Sequence, residues 1–409
     1  MRERYSKFLI FILLFCITGC SNTSQIEQKN IENGNNAELK QNIQKETEPV
    51  VEICYDLFRK ADDEGSMGDL EVFRSIVNRL GDNGYAAIDA KNQIDMTEVE
   101  QVVRFCEKVG AKEESDLTII KINDLEGALD GIVKYDLRTK DGEVIVETNY
   151  YKYENKDMQN VFTASYLADH WEYTKDGHLL FSGSYYSEEL YVLTLSDAED
   201  YIAFRVQPLD EKCRELNRQY ILPVSYERNN MFLVDWNEAD FGDLDFYDLY
   251  DIFYPKINNQ CIPYGMDDNL GVGAVYRIPK EEFESVIKTY FNIESDALKS
   301  KTIFHSEDET YEYKPRGFFE AEYPEYPFPE VVSYTENEDG TITLTVQAVF
   351  PYKSLSKVYA HEVVIRPLDN GGVQYVSNRI IPSEDNYEAT WHKPRLTEEQ
   401  WEEMYGEPE

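Results

Sequence analysis

Ile132-Val133-Lys134-Tyr135-Asp136-Leu137-Arg138 and Glu143-Val144-Ile145-Val146-Glu147-Thr148-Asn149-Tyr150-Tyr151 stand on either side of Asp141-Gly142. Both runs are rich in β-branched and aromatic residues, and Asp-Gly supplies the two positive φ angles of a type I′ turn. The stretch therefore reads as an antiparallel hairpin. Trp171–Thr174 and Leu179–Tyr186 read the same way around Asp176-Gly177. Asp339-Gly340 and Asn370-Gly371 mark two more hairpins, the first followed by alternating Ile342, Leu344, Val346, Ala348 and Phe350. Because hairpin turns rather than helical crossovers join these strands, antiparallel sheets are expected.

Helical spacing surrounds the hairpins. Val50, Val51, Cys54, Tyr55 and Phe58 follow Pro49, and Leu70, Phe73, Val77 and Leu80 precede Gly81, a fitting C′ residue. Thr97 and Glu100 form a capping box for a third helix, through Val99, Val102, Val103, Cys106 and Val109 to Gly110. Pro279 opens a fourth, with Phe283, Val286, Ile287, Tyr290 and Phe291 on one face. The fold class is α+β, with helices packed on antiparallel sheets.

Short motifs recur. Tyr173-Thr174 before Asp176-Gly177 parallels Tyr334-Thr335 before Asp339-Gly340. Pro208-Leu209-Asp210 and Ile221-Leu222-Pro223 parallel Pro367-Leu368-Asp369 and Ile380-Ile381-Pro382 at equal separation. The expectation is two tandem related units, residues 96–234 and 276–395. A helical extension over 49–95 precedes them, an acidic and aromatic connector over 235–275 separates them, and an acidic tail over 396–409 follows.

At the N-terminus, Arg2, Arg4 and Lys7 precede an apolar run from Phe8 to Cys16, too short for roughly 30 Å of hydrocarbon. It reads as an export signal. Ile17-Thr18-Gly19-Cys20 then resembles the lipobox of bacterial lipoproteins, with Ile17 where Leu is commoner. The resemblance implies removal of residues 1–19 and lipidation of Cys20, and so anchoring to the outer, extracytoplasmic face of the cell membrane. Residues 20–48 lack aromatics and are rich in Asn, Gln, Glu and Lys, as in a disordered tether of roughly 30 Å.

The chain carries 79 acidic against 40 basic side chains, a net charge of −39. Nucleic acid is excluded as a partner, since its phosphates require Lys/Arg stripes. Anionic headgroups are repelled as well, which leaves the lipid at Cys20 as the contact with the bilayer. Beyond Cys16 and Cys20 there are Cys54, Cys106, Cys213 and Cys261. Cys54 and Cys106 lie on apolar helical faces, whereas Cys213 and Cys261 lie in polar, loop-like sequence and form the one proposed disulfide.

Motifs of exported hydrolases are missing. There is no HExxH, GxSxG or GxxxxGK[ST]. Ser285-Val286-Ile287-Lys288 fits SxxK without its Lys-Thr-Gly and Ser-Asp-Asn companions, so Lys288 is expected on a solvated face. No cofactor is implied. Asp240, Asp243, Asp245 and Asp248 are dense enough in oxygen to be calcium candidates, but Asp240 stands where an EF-hand turn requires Gly. The plainer reading is a charged face packing Trp236, Phe241, Phe246, Tyr247 and Tyr250 against a domain.

Tyr323-Pro324-Glu325-Tyr326-Pro327-Phe328-Pro329 cannot occupy a central strand, because proline has no N–H for the ladder. It should lie at an edge or rim. Tyr323, Tyr326 and Phe328, with Trp391, form the candidate ligand surface. Ile278-Pro279-Lys280-Glu281-Glu282-Phe283, Arg366-Pro367-Leu368 and Asn386-Tyr387-Glu388-Ala389-Thr390-Trp391 resemble a family of uncharacterised clostridial lipoproteins. That resemblance brings no activity. The function expected is a non-catalytic envelope protein that binds a partner protein, peptide or wall glycan; the alternative is an envelope hydrolase working through a carboxylate pair.

Overall fold

A computed structural model describes residues 48–125, 127–265, 273–322 and 325–406. The export signal, Cys20 and the tether up to residue 47 lie outside the described residues. The first sheet grows from the Asp141-Gly142 hairpin. Asp141 and Gly142 have φ of 55° and 88°, and join β3 (Ala128–Lys140) to β4 (Glu143–Glu154). With β1 (Ala86–Asp89), β2 (Ser115–Leu125) and β5 (Asp157–Leu167) they form a sheet in the order β1-β2-β3-β4-β5.

Alternation along β2 and β3 sends side chains into two cores. Ile120, Ile122 and Ile132 meet helices α1 (Pro49–Glu64) and α2 (Leu70–Asp82), which contribute Val50, Cys54, Phe58, Ile76 and Leu80. Ile119, Val133, Tyr135 and Leu137 meet α3 (Val99–Ala111) and a second sheet. That sheet is the meander β6 (His170–Tyr173), β7 (His178–Tyr185) and β8 (Ala198–Arg205), with helix α4 (Glu188–Thr194) between the last two.

The third core belongs to the C-terminal half. Helix α5 (Glu211–Leu216) runs into a π turn at Asn217–Ile221, followed by β9 (Trp236–Asn237) and α6 (Phe246–Asn258). Then come β10 (Tyr276–Pro279), α7 (Lys280–Tyr290), α8 (Ser295–Ser300), β11 (Phe304–His305) and β12 (Thr310–Tyr313), the strands pairing as β10-β12-β11. Strands β13 (Phe328–Glu336), β14 (Ile342–Val349), β15 (Ala360–Pro367) and β16 (Val373–Ile380) complete a sheet ordered β13-β14-β15-β16-β9. Leu344, Val346, Ala348 and Phe350 are buried, as their alternation required. The class is α+β. No described helix is long and apolar enough to cross a membrane.

Several expectations are corrected. Residues 49–95 are not a separate helical extension, because β1 pairs with β2 in parallel (Ala86↔Ile119) and α1 and α2 cover the first sheet. Thr97 does not cap α3; its hydroxyl accepts from Ala87 N at 2.9 Å and donates to Tyr85 O at 2.9 Å, tying the helix start to β1. Within the acidic tail, Glu398–Tyr405 form helix α9, with Trp401 buried and Thr397 in a capping box. Cys213 and Cys261 are both free thiols: Cys213 faces the C-terminal core from α5, while Cys261 is exposed. Lys288 is not simply solvated, since its ammonium donates to Glu284 at 2.7 Å and to Ser295 Oγ at 2.6 Å. Ser295 in turn donates to Glu284, so this cluster is a closed ion pair and not an activated hydroxyl.

The tandem duplication is not found. The N-terminal half builds a five-stranded sheet and then a three-stranded one, while the C-terminal half does the reverse. Of the matched segments, Pro208–Pro223 holds α5 and the π turn, whereas Pro367–Pro382 holds β16. What does recur is a turn. Thr174 N donates to His178 O, Asn337 N to Thr341 O and Leu368 N to Gly372 O, each closing a three-residue loop that ends in a left-handed glycine, Gly177, Gly340 or Gly371. Shared turn chemistry produced the likeness.

Candidate functional site

Helix α6 begins at Asp245, whose carboxylate caps it by accepting from Tyr247 N at 2.9 Å and Asp248 N at 3.1 Å. Residues three apart are neighbours on a helix surface, so Asp245, Asp248 and Asp251 form one acidic edge. Asp248 is fully buried, and a buried carboxylate must be paired. Arg316 grips it with two bonds, Nε to Oδ1 at 2.9 Å and Nη2 to Oδ2 at 2.7 Å. Arg395 adds Nε to the same Oδ1 at 2.7 Å and reaches Asp251 Oδ2 with Nη2 at 2.8 Å.

These two arginines escaped the reading of the sequence, although a signal was there. Each ends a Lys-Pro-Arg tripeptide, Lys314-Pro315-Arg316 and Lys393-Pro394-Arg395. The proline holds the backbone extended, and the two segments lie side by side. Arg316 Nη1 donates to Lys393 O at 2.7 Å, and Arg395 Nη1 donates to Lys314 O at 2.6 Å. Glu322 stitches the same segments, bonding Arg228 N and Lys393 N at 3.0 Å each and pairing with His392 at 2.8 Å.

On one side of this network is a hollow of about 410 Å3 bordered by Asp245, Tyr247, Glu312, Lys314 and Trp401. On the other is an open groove of about 710 Å3. Asp251 faces the groove. Burial raises its carboxyl to about 6, against the opposing pull of Arg395 and of the Tyr313 hydroxyl, which donates at 2.6 Å. Ile252, Ile262 and Tyr264 form an apolar wall, and Tyr326 and Phe328 form the opposite lip. Arg228 and Lys256 add positive charge; burial lowers the Lys256 ammonium below its usual range.

Of the expected ligand residues, the structure brings Tyr326 and Phe328 to the groove. Phe328 opens β13, the edge strand of its sheet, so the proline-interrupted run does lie at an edge. Tyr326 is 37% exposed. Trp391 is not part of this surface: it is 3% exposed and packs between Phe350, at 5.4 Å, and Tyr359, at 6.3 Å between ring centres. Tyr323 lies outside the described residues. The calcium candidates do not converge either. Asp240 and Asp243 are exposed, Asp245 caps α6, and Asp248 is neutralised by arginine; among the described residues no group of three or more acidic, His or Cys side chains is arranged to hold a metal ion.

A second buried charge cluster joins the two halves. His178 on β7 meets Glu330 on β13 at 3.1 Å and Asp176 at 3.5 Å, and Glu330 also lies 3.5 Å from Arg205. Asn92 donates to Glu330 at 3.4 Å and accepts from Arg205 N. Burial alone would keep His178 neutral, but the carboxylates of Asp176 and Glu330 outweigh it and raise its pKa.

No curated protein and no solved structure matches the chain. A match over residues 40–395 spans the ion network and the open groove, and on it the chain belongs to a protein family of unknown function, DUF6070.

Proposed function

We propose that this is a lipoprotein of the extracytoplasmic face of the cell membrane, held there through Cys20, which binds a peptide or glycan of the cell wall without transforming it. The binding site is the groove between Asp251 and the Tyr326–Phe328 lip. The observation that carries this reading is the half-open aromatic lip beside Asp251, a carboxylate that, like the buried Asp248 behind it, is already committed. Both oxygens of Asp248 are held by arginine, and both oxygens of Asp251 are held by Tyr313 and Arg395. Flat aromatic faces with one polar handle suit sugar rings and peptide side chains.

Titration of soluble wall fragments against wild type and a Tyr326→Ala/Phe328→Ala variant tests the groove. Affinity should fall at least tenfold in the variant at equal melting temperature; identical affinity refutes the site. Membrane fractionation of Cys20→Ala tests the anchor separately, and membrane retention of that variant would remove it.

One observation favours a hydrolase instead. Asp251, raised to about 6 and facing a groove, has the property of a general acid. Wall-fragment cleavage lost in Asp251→Asn, with ligand binding kept, would establish that second reading.

A further inference from the structure

Six residues between β7 and β8 turn apolar side chains outward. Tyr186 is 66% exposed, Val192 71%, Leu193 64% and Leu195 76%, with Leu190 and Tyr191 also exposed. Together they clothe α4 on several sides, so that it stands as an apolar spur. The patch continues onto the body of the protein. The Tyr186 and Tyr191 rings lie 5.6 Å apart, and Tyr185 lies 5.4 Å from Phe162 on the edge strand β5. Beside Phe162, Val161 is the extra residue of a β-bulge and is 56% exposed. Apolar surface of this extent on a chain of net charge −39 marks a contact site.

The charges around it select the occupant. From Asp176 to Phe204 there is no Lys or Arg, while Glu188, Asp197 and Glu199 are exposed around the spur. Interfacial insertion into a membrane draws on basic side chains facing anionic lipid, and here the sign is wrong. A second copy would bring the same carboxylates face to face, a like-charge juxtaposition that works against pairing. We propose that the α4 spur is a docking surface for a protein partner whose contact region has an apolar centre flanked by lysine or arginine. It is separate from the groove at Tyr326 and does not depend on what that groove binds.

The test uses the full chain and a variant, Val192→Ser/Leu193→Ser/Leu195→Ser, which removes apolar surface without altering charge. All three positions are exposed, so folding is expected to be kept, and matching melting curves verify it. The probes are a 20-residue amphipathic helical peptide with a leucine face flanked by lysines, the same peptide with glutamates, and vesicles of phosphatidylglycerol and phosphatidylethanolamine. Wild type should bind the lysine peptide at least tenfold more tightly than the variant does, and should ignore the glutamate peptide. Equal binding of the lysine peptide by both proteins would reduce the effect to bulk charge and overturn the proposal. Vesicle binding that the variant loses would assign the spur to the bilayer, and dimerisation that the variant loses would assign it to a second copy; either result also overturns it.

Discussion

Arg316 and Arg395, 79 residues apart in sequence, each donate to the main-chain carbonyl of the lysine two residues before the other, and both close on Asp248. The arrangement locks the segment after β12 to the segment before α9 and commits both oxygens of Asp248 to arginine. Removing one arginine exposes a buried carboxylate to incomplete pairing. Arg395→Met should destabilise the protein by about 3–5 kcal/mol, whereas Asp248→Asn with Arg395→Met should cost less than the two single changes added together. Urea denaturation of the four proteins of this cycle measures it, and strict additivity would contradict the coupling.

The same pairing leaves calcium nothing to bind at Asp245 and Asp248. Millimolar calcium should leave the melting temperature unchanged, because an ion that bound only the folded state would raise it by mass action. A rise of several degrees that disappears in Asp248→Asn would show that the arginines yield to metal.

Asp251 gives the stability a pH signature. Its folded pKa of about 6 lies above the ordinary 3.8, so its contribution is complete below about pH 4 and is lost as pH rises through 6. The loss is on the order of 2–3 kcal/mol. Asp251→Asn should flatten the fall in stability between pH 4 and 6, and parallel curves for the two proteins would count against the buried, raised carboxyl.

His178 acts in a higher window and with the same sign. Its pKa is raised above 6.5 in the folded protein, so its stabilisation is full below that value and disappears as pH climbs through the folded pKa. Glu330→Gln removes one of the carboxylates that holds the proton. The variant should be less stable by about 3 kcal/mol at pH 6, and the gap should narrow in alkaline solution. Stability curves of wild type and variant from pH 6 to 9 decide the matter; a constant gap would show that His178 does not titrate in that range.

The thiols offer a check that needs no variant. Cys261 is exposed, Cys213 is buried, and burial raises Cys54 to about 12. A maleimide should modify Cys261 rapidly in the native protein, and Cys54 and Cys213 only after unfolding. Native Cys261 that reacts only after reduction would restore the disulfide.

Sequence patterns located what local chemistry governs. The Asp141-Gly142 hairpin, the buried alternation of β14 and the apolar faces of α1 to α3 follow from turn preference and periodicity alone. β5 was missed because its turn, Asn155-Lys156, places a lysine at φ 59°, a position the dipeptide rules reserve for glycine. The prolines placed Tyr326 and Phe328 at an edge correctly. Trp391 was misplaced because nothing in Asn386–Trp391 encodes the distant Phe350 and Tyr359 that enclose it. The ion network was illegible for the same reason. A doublet of Lys-Pro-Arg becomes meaningful only when the chain brings both copies to one carboxylate.

Strand β9 is two residues long, and Trp236 and Asn237 pair with Asn378 and Ser377, some 140 residues further along the chain. Closing so long a loop is entropically slow, so the C-terminal sheet cannot complete its edge until nearly the whole chain has been made. The N-terminal sheet, whose strands are all present by Leu167, has no such wait. Maturation is therefore directional: one half can assemble as it emerges, while the half that carries the groove stays open to proteases and chaperones until the last strand arrives.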